Sequence, residues 1–301
     1  MLPLADQLAQ GRLVCPRTHE PLTRRGDELV TGSGTAYPLV DGVPILFAEP
    51  ERQAAYLEEA AGGMAAEYEQ YERYGRREGR LRGTLRRLAH RATAGPDHRT
   101  PASEAAFRAV VAEQPAGALG LSIGGGPTRV HPKLVNLNID RFANVDVVAD
   151  AYRLPYADGS VDAIHCEAVL EHLEHPRRAV AEMHRVLAPG GEAFAATPFL
   201  QPFHAYPNHF QNFTREGHER LFRHAGFEIV DSGAAVGPTF ALTDLWVFWL
   251  RSYVRPRGVG RGLGFLAAVV SRPLRRLDRW LGRGEGAELM ASTTFVRVRK
   301  G

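Results

Sequence analysis

The sequence predicts an α/β fold built on a mainly parallel sheet, with a small β-rich module before it and helical insertions. Three observations predict this. From residue 116 onward, short apolar runs (ALGLSIG, LVNLNID, VDVVAD, VDAIHCE, EAFAATPF and FEIVDSG) alternate with helical patterns. Such alternation needs crossover connections, which put helices on both faces of a parallel sheet. The chain has 301 residues, 44% hydrophobic and 24% charged, enough for one such domain and a small appendage.

Taken in order, residues 1–50 read as a small module. The stretch RLVCPRTHEPLTRRGDELVTGSGTAYPLVDGVPILF consists of short β runs broken at Thr18-His19-Glu20-Pro21 and Asp41-Gly42. Residues 51–115 are rich in Ala, Glu and Arg, with Tyr56, Tyr68, Tyr71 and Tyr74 at irregular helical spacing. They read as a helical linker or lid with a loop at Gly95-Pro96-Asp97. Residues 116–301 form the main domain. Its clearest helix is HPRRAVAEMHRVLAP, with Ala179, Val180, Met183, Val186 and Leu187 on one face and a stop at Pro189-Gly190-Gly191. A helical insertion spans 238–290, with two amphipathic segments, and a last β run, STTFVRVR, follows it.

Composition narrows the function classes. The net charge of +3 gives no reason to expect nucleic acid. Two cysteines, Cys15 and Cys166, make neither a disulfide framework nor a four-cysteine zinc site. The first residues, MLPLADQLAQGRLVCP, have no basic stretch leading into an apolar one, so no signal peptide is expected. No run reaches the ~18 apolar residues of a membrane span. A cytoplasmic location is the expectation.

The first candidate site is the turn Leu121-Ser122-Ile123-Gly124-Gly125-Gly126-Pro127. Glycines at the carboxyl end of an apolar strand let backbone approach a ligand closely. Such a turn is also common with no ligand. The next run ends in Asp140, about 14 residues after the glycines, where a carboxylate can accept both hydroxyls of a ribose. That spacing is short and leaves little room for a helix. A third block, VDVVADAYRLPYADGSVDAIHCEAVLEHL, carries Asp150 after a strand, then Leu154-Pro155-Tyr156, then another strand.

In combination these motifs resemble the class I S-adenosylmethionine (SAM)-dependent methyltransferases, in particular the small-molecule and quinone-type subgroup. The residues that carry the resemblance are Asp150, Leu154-Pro155-Tyr156, Ser160-Val161-Asp162, Glu171-His172 on a helix, and Arg185-Val186-Leu187-Ala188-Pro189-Gly190-Gly191. The resemblance implies a Rossmann-like, seven-stranded, mostly parallel sheet with SAM as cofactor. It also implies that Gly124, Gly125 and Gly126 pack against the amino-acid part of SAM and that Asp140 binds its ribose. Asp150 and Ala151 would contact the adenine, and Glu167 would face the methionine end. Ser122 stands where the family has an acidic residue, and Thr128, after Pro127, replaces a glycine of the motif. Ser122 would then contact the cofactor by hydrogen bonding without a charge.

Residues 1–50 resemble the short zinc-ribbon-like family whose members activate tRNA and protein methyltransferases. The resemblance rests on LVCPRTHEPL and AYPLVDGVPIL. Of the four zinc cysteines only Cys15 remains, so no metal is expected there. A structural or docking module and a plain β-hairpin appendage are both open.

SAM is intrinsically a good methyl donor, so the protein's part is to align the acceptor and, for a hydroxyl, to remove its proton. Candidate bases lie after the fourth and fifth strands of the main domain: His172, His204 and His209. The loop TPFLQPFHAYPNHFQNFT, dense in His, Pro and aromatics, suits a substrate-facing position, though it also suits simple closure of a pocket. Glu171 reads as structural.

Arginine clusters in two places, with eight in 69–91 and nine against one Asp in 251–283. The second stretch adjoins LWVFWL and GFLAAVV, and aromatics with arginine on helices suit a membrane interface. Residues 242–283 are therefore candidates for peripheral membrane contact. Packing of the insertion on the domain with a solvated basic face is the plainer reading. The expected acceptor is a small molecule, a saccharide or a lipid-linked intermediate. RNA or protein methylation is a second class, and a non-catalytic SAM-fold binding protein a third. Against the second, CEAVLEH stands where nitrogen methylases of nucleic acid and protein carry an Asn/Asp-Pro-Pro-aromatic tetrad.

Overall fold

The computed structural model describes residues 1–62, 99–115, 117–204, 208–284 and 286–301. The arginine-rich stretch 69–91 and Tyr68, Tyr71 and Tyr74 lie outside the described residues. A short helix, α1 (Leu4–Ala9), leads into four strands, β1 (Thr23–Arg25), β2 (Glu28–Val30), β3 (Ala36–Val40) and β4 (Val43–Leu46). The helices α2 (Pro50–Gly62) and α3 (Pro101–Phe107) follow, the latter running into a π turn, Arg108–Ala112. The alternating region then gives β5 (Gly120–Ile123), β6 (Leu134–Asn138), β7 (Val147–Ala149), β8 (Val161–Glu167), α4 (Pro176–Val186), β9 (Leu187–Pro198), α5 (Arg215–Arg223) and β10 (Phe227–Val236). Three helices, α6 (Pro238–Tyr253), α7 (Arg257–Leu274) and α8 (Asp278–Leu281), precede the last strand, β11 (Thr293–Lys300).

The strands form one sheet in the order β1-β2-β3-β4-β7-β6-β5-β8-β9-β11-β10. Seven of them, β5 to β11, make the Rossmann-like sheet. Its left half and centre are parallel, and β11 runs antiparallel between β9 and β10. The N-terminal strands extend this sheet to eleven. Residue Ile45 lies opposite Val148 and Leu46 opposite Ala149 in a parallel pair. All four are buried, and β4 satisfies the backbone groups that β7 would otherwise present as an open edge.

The N-terminal module also shares a core with the main sheet. Leu13, Cys15, Leu22, Leu29 and Tyr37 belong to the same apolar cluster as Leu121, Leu137 and Tyr156. The Leu-Pro-Tyr turn is the clasp. The Val14 N–H donates to the Pro155 carbonyl at 3.0 Å, and Ala157 N–H donates to the Arg12 carbonyl at 2.9 Å. Tyr156 is fully buried and its hydroxyl donates to Gln7 Oε1 at 3.3 Å. The Cys15 thiol sits 3.1 Å from the Tyr37 hydroxyl inside this core.

Two expectations need correction. Helix α4 stops at Val186, not at Pro189-Gly190-Gly191. Those residues belong to the start of β9, where the pairing with β8 slips register between Val161 and Ala163. Gly190 takes φ +76°, and a Cβ on Gly191 would come within 2.9 Å of the Ala188 carbonyl, so the glycines serve this irregular strand entry. The Glu171-His172 pair lies on a single 3-10 turn, Leu170–His172, rather than on an α-helix.

Helices α6 and α7 pack closely. A Cβ on Gly260 would approach the Val254 carbonyl to 2.7 Å, and Val247, Ala267 and Ala268 bury together. Asp278 on α8 accepts from the Thr239 and Phe240 N–H groups at 2.8 Å each, capping the start of α6. Among the described residues no helix is long and apolar enough to cross a membrane.

Candidate active site

The parallel register sets the site. Ile123 lies opposite Leu137 and Cys166, and Asn138 opposite Val148. The glycine turn, Asp140, Asp150 and Glu167 therefore emerge at one edge of the sheet, the carboxyl ends of β5 to β8, where open parallel sheets bind ligands.

Gly124 and Gly126 take φ +70° and +60°. The Gly124 N–H donates to the Leu137 carbonyl at 2.8 Å. A Cβ on Gly124 would lie 2.3 Å from Val169 Cγ2, and one on Gly125 would lie 2.4 Å from Asn136 Oδ1. The turn is drawn in against its neighbours and shows bare backbone outward, a cradle that fits the amino-acid end of SAM. Between Gly126 and Leu134 the chain forms turns only, as the short spacing to Asp140 required.

Asp140 sits two residues past the end of β6, half-buried, with its N–H donating to Asn138 Oδ1 at 3.1 Å. Tyr56 on α2 closes over it. The Tyr56 hydroxyl accepts from the Arg141 N–H at 3.0 Å, and burial together with the Asp140 charge raises the phenol's pKa. Asp150 and Ala151 are buried. One Asp150 oxygen accepts the Tyr152 N–H at 2.9 Å and the other pairs with Arg52, whose guanidinium lies over the Phe47 ring. Helix α2 thus covers the part of the edge that carries Asp140 and Asp150.

Ser122 is placed differently from expectation. It is 2% exposed, beneath the turn, with Oγ 3.3 Å from His165 Nδ1. It supports the turn from inside rather than lining it. His165 Nε2 in turn lies 3.2 Å from Glu167 Oε2, and Arg99 pairs with the same oxygen. The His165 ring stacks on Phe194, and Arg99 lies over Phe107 and Phe194. Burial by itself would raise the Glu167 pKa, but the His165 hydrogen bond and the Arg99 charge outweigh it, so Glu167 stays below the usual carboxylate range. The next residue, Ala168, takes φ +54°, and its N–H donates to the Ala196 carbonyl at 3.0 Å. This left-handed turn directs the chain from Glu167 into the 3-10 turn.

The three histidines expected to act on the acceptor do meet. The rings of His172 and His204 are 5.4 Å apart and those of His204 and His209 4.2 Å apart. His172 and His204 flank Glu171, which is 0% exposed and whose pKa burial raises to about 7. His209 uses both ring nitrogens on the loop itself. Its Nδ1 accepts from the His204 N–H at 3.2 Å, and its Nε2 lies 2.6 Å from Asn212 Oδ1. The Asn212 amide donates to the Phe199 carbonyl at 2.9 Å, which turns Oδ1 towards His209 as an acceptor. His209 therefore positions His204 and offers no free nitrogen. Asp244 on α6 also faces His204; burial raises its pKa against the opposing charges of Arg275, Arg251 and His204.

Arg52, Arg99, His165, Glu171 and Asp244 were not singled out as site residues from the sequence. His165 had a signal: it stands two residues before Glu167 on a strand and so shares its face. Arg52 and Arg99 had none, because their partners are remote in the chain.

A family model described as "Methyltransferase domain" matches residues 128–195. An 85-residue stretch is 42% identical to an uncharacterized chloroplastic methyltransferase of Arabidopsis thaliana, covering 28% of this chain and 22% of that protein. Another, of 67 residues, is 40% identical to the demethylmenaquinone methyltransferase of Renibacterium salmoninarum, covering 21% of this chain and 28% of that protein. The chain thus spans less than a third of the length of either relative. The sheet, the glycine turn and the match over residues 128–195 give this part of the chain the Rossmann-like fold of SAM-dependent methyltransferases. A further 51 residues are 43% identical to a UPF0434 protein of Vesicomyosocius okutanii, covering 17% of this chain and 86% of that protein. Over that stretch the chain belongs to the UPF0434 family.

Proposed function

We propose that this chain transfers the methyl group of SAM to a small-molecule acceptor, a saccharide or a lipid-linked intermediate. The observation that carries the reading is the meeting of the glycine turn, Asp140, Asp150 and Glu167 at one carboxyl edge, beside the Glu171–His172–His204 cluster. Bound SAM supplies a sulfonium-activated methyl group. The chain's own residues do the rest. Gly124 to Gly126 admit the amino-acid end, and Asp140 accepts the ribose hydroxyls. Asp150 and Ala151 hold the adenine beneath α2. Glu167, kept ionised by His165 and Arg99, faces the methionine end. The acceptor is aligned from the side of His204, where the cluster opens to solvent, and the cluster eases the departure of its proton.

Calorimetric titration with SAM and with S-adenosylhomocysteine tests the reading. Micromolar binding is expected, weakened at least tenfold in Asp140→Ala, which removes two charge-assisted acceptors and costs at least about 1.4 kcal/mol. Absence of binding at millimolar ligand would instead support a non-catalytic domain.

The insertion supports a lipid-linked acceptor. On α6 and α7, Trp246, Phe248, Trp249, Phe265, Leu266 and Val270 are exposed. Arg251, Arg255, Arg257 and Arg261 line one depression beside them. Exposed aromatics with an arginine rim suit an interface carrying anionic headgroups. The protein is expected to float with vesicles containing phosphatidylglycerol, and the double variant Trp246→Ser/Trp249→Ser to stay behind. Equal flotation of both would remove this surface from the proposal. The 51-residue UPF0434 stretch has the length of the N-terminal module, and the shared core supports a structural or docking role for that module.

A further inference from the structure

We infer that Glu171, His172 and His204 form a binding site for one divalent transition-metal cation, of the kind held by two imidazoles and a carboxylate, as zinc is. The three side chains offer one ligand atom each, and these atoms all lie within 4.8 Å of one another.

The first observation is Glu171. It is 0% exposed, and among the described residues neither carboxylate oxygen receives a hydrogen bond. A buried carboxylate with no donor is costly, and native structures keep such a group only where something else compensates it.

The second is the orientation of the two imidazoles. His172 Nδ1 contacts the Asn208 carbonyl oxygen, and His204 Nδ1 lies 2.9 Å from the Pro202 carbonyl oxygen. A carbonyl only accepts, so each Nδ1 must carry the proton. In its neutral form each ring then presents a bare Nε2 lone pair. Both Nε2 atoms face the same oxygen, Glu171 Oε1, at 3.9 Å each. With both rings neutral and Glu171 ionised, two lone pairs and a carboxylate oxygen converge with no hydrogen among them. That arrangement is repulsive by itself and attractive around a cation. A backbone carbonyl on the far nitrogen is also the usual means of fixing a metal-binding imidazole in its ligating tautomer.

The third is the support. The Phe210 N–H donates to the Glu171 carbonyl at 2.9 Å and ties the loop to the 3-10 turn. The His204 N–H is held by His209, and His209 by Asn212. Zinc sits about 2.0–2.2 Å from nitrogen and oxygen ligands, so the 3.9 Å separations need to close by about half an ångström, and the two imidazole nitrogens, within 4.8 Å of each other, by no more than about 1.5 Å. The fourth position opens on the side of His204, whose side chain is 40% exposed, while Glu171 closes the inner side. Three protein ligands and one open position are the pattern of zinc sites that act on a ligand rather than only brace a fold. What the cation does for the acceptor rests on the methyl-transfer reading; that it binds does not.

The test uses the full chain, stripped with chelator, dialysed and titrated with zinc chloride, with bound metal counted by mass spectrometry. Cobalt(II) loading adds a visible spectrum that reports nitrogen and oxygen ligation. One metal per chain is expected, with affinity at least tenfold lower in Glu171→Gln and in His204→Asn. Thermal melting of each variant confirms that it folds, and His204→Asn, on the half-exposed loop, keeps the test sound if Glu171→Gln does not. Less than a tenth of a metal per chain in the wild type, or unchanged affinity in folded variants, would overturn the inference. A protein that binds SAM but not zinc sinks this site alone. One that binds zinc but not SAM upholds it and sinks the methyl-transfer reading.

Discussion

His218 on α5 is fully buried, its ring edge-on to Phe222 and its Nδ1 3.3 Å from the Thr294 hydroxyl. Burial lowers its pKa from 6.5 to about 3. The folded protein therefore keeps this ring neutral down to about pH 3, whereas the unfolded chain protonates it near 6.5. Between those values the unfolded state binds the extra proton. Stability contributed at neutral pH is lost as pH falls through this window, at up to about 1.4 kcal/mol per pH unit. Urea denaturation from pH 7 to pH 5 should show the wild type losing more stability than His218→Leu, and parallel losses would refute the assignment. At this scale the sequence was partly legible. Gly124, Asp140, Asp150 and the three histidines stood out because their residue types suit the chemistry and their positions follow strands. The surroundings of Ser122 and Glu171 were not legible, because a residue type does not disclose what surrounds it. Ser122 faces His165 in the interior, and Glu171 is enclosed by histidines, one of them more than thirty residues away.

The elements themselves follow from local pattern, and their ends depend on local sterics. The apolar face of α4 buries as its spacing required, with Ala179, Val180, Met183 and Val186 inside. Its end was misplaced because Pro-Gly-Gly also suits an irregular strand entry, and only the β8 partner decides between the two. The glycine turn is the clearest local constraint. Gly125→Ala would set a Cβ 2.4 Å from Asn136 Oδ1 and 2.8 Å from Ser122 Oγ. Overpacking of that kind costs roughly 1–3 kcal/mol. A lower melting temperature and weaker SAM binding are expected together. An Ala variant with wild-type melting would show that the turn is looser than its contacts imply.

For the whole molecule, the N-terminal module is the instructive case. Its sequence marks it as a separate unit. Here it does not stand apart. Pairing of β4 with β7 and the burial of Leu13, Ile45, Leu46 and Tyr156 make it part of the main core. Each such side chain, fully buried, contributes about 1.5–3 kcal/mol, and losing several removes much of the ~5–15 kcal/mol by which a domain is stable. A chain beginning at residue 49 is expected to aggregate or to lose its cooperative melt. A soluble, cooperatively folding truncation would show the module to be dispensable.

The sequence by itself determined the alternation of strands and helices, the turn that must be glycine and the residue types that suit SAM. These depend on periodicity and on neighbours a few residues away. Tertiary structure alone decided that β4 completes the edge beside β7, that Arg99 and His165 hold Glu167, and that His204 closes on Glu171. Those contacts join residues far apart in the chain, and their strength comes from burial and shared charge, which no local pattern encodes.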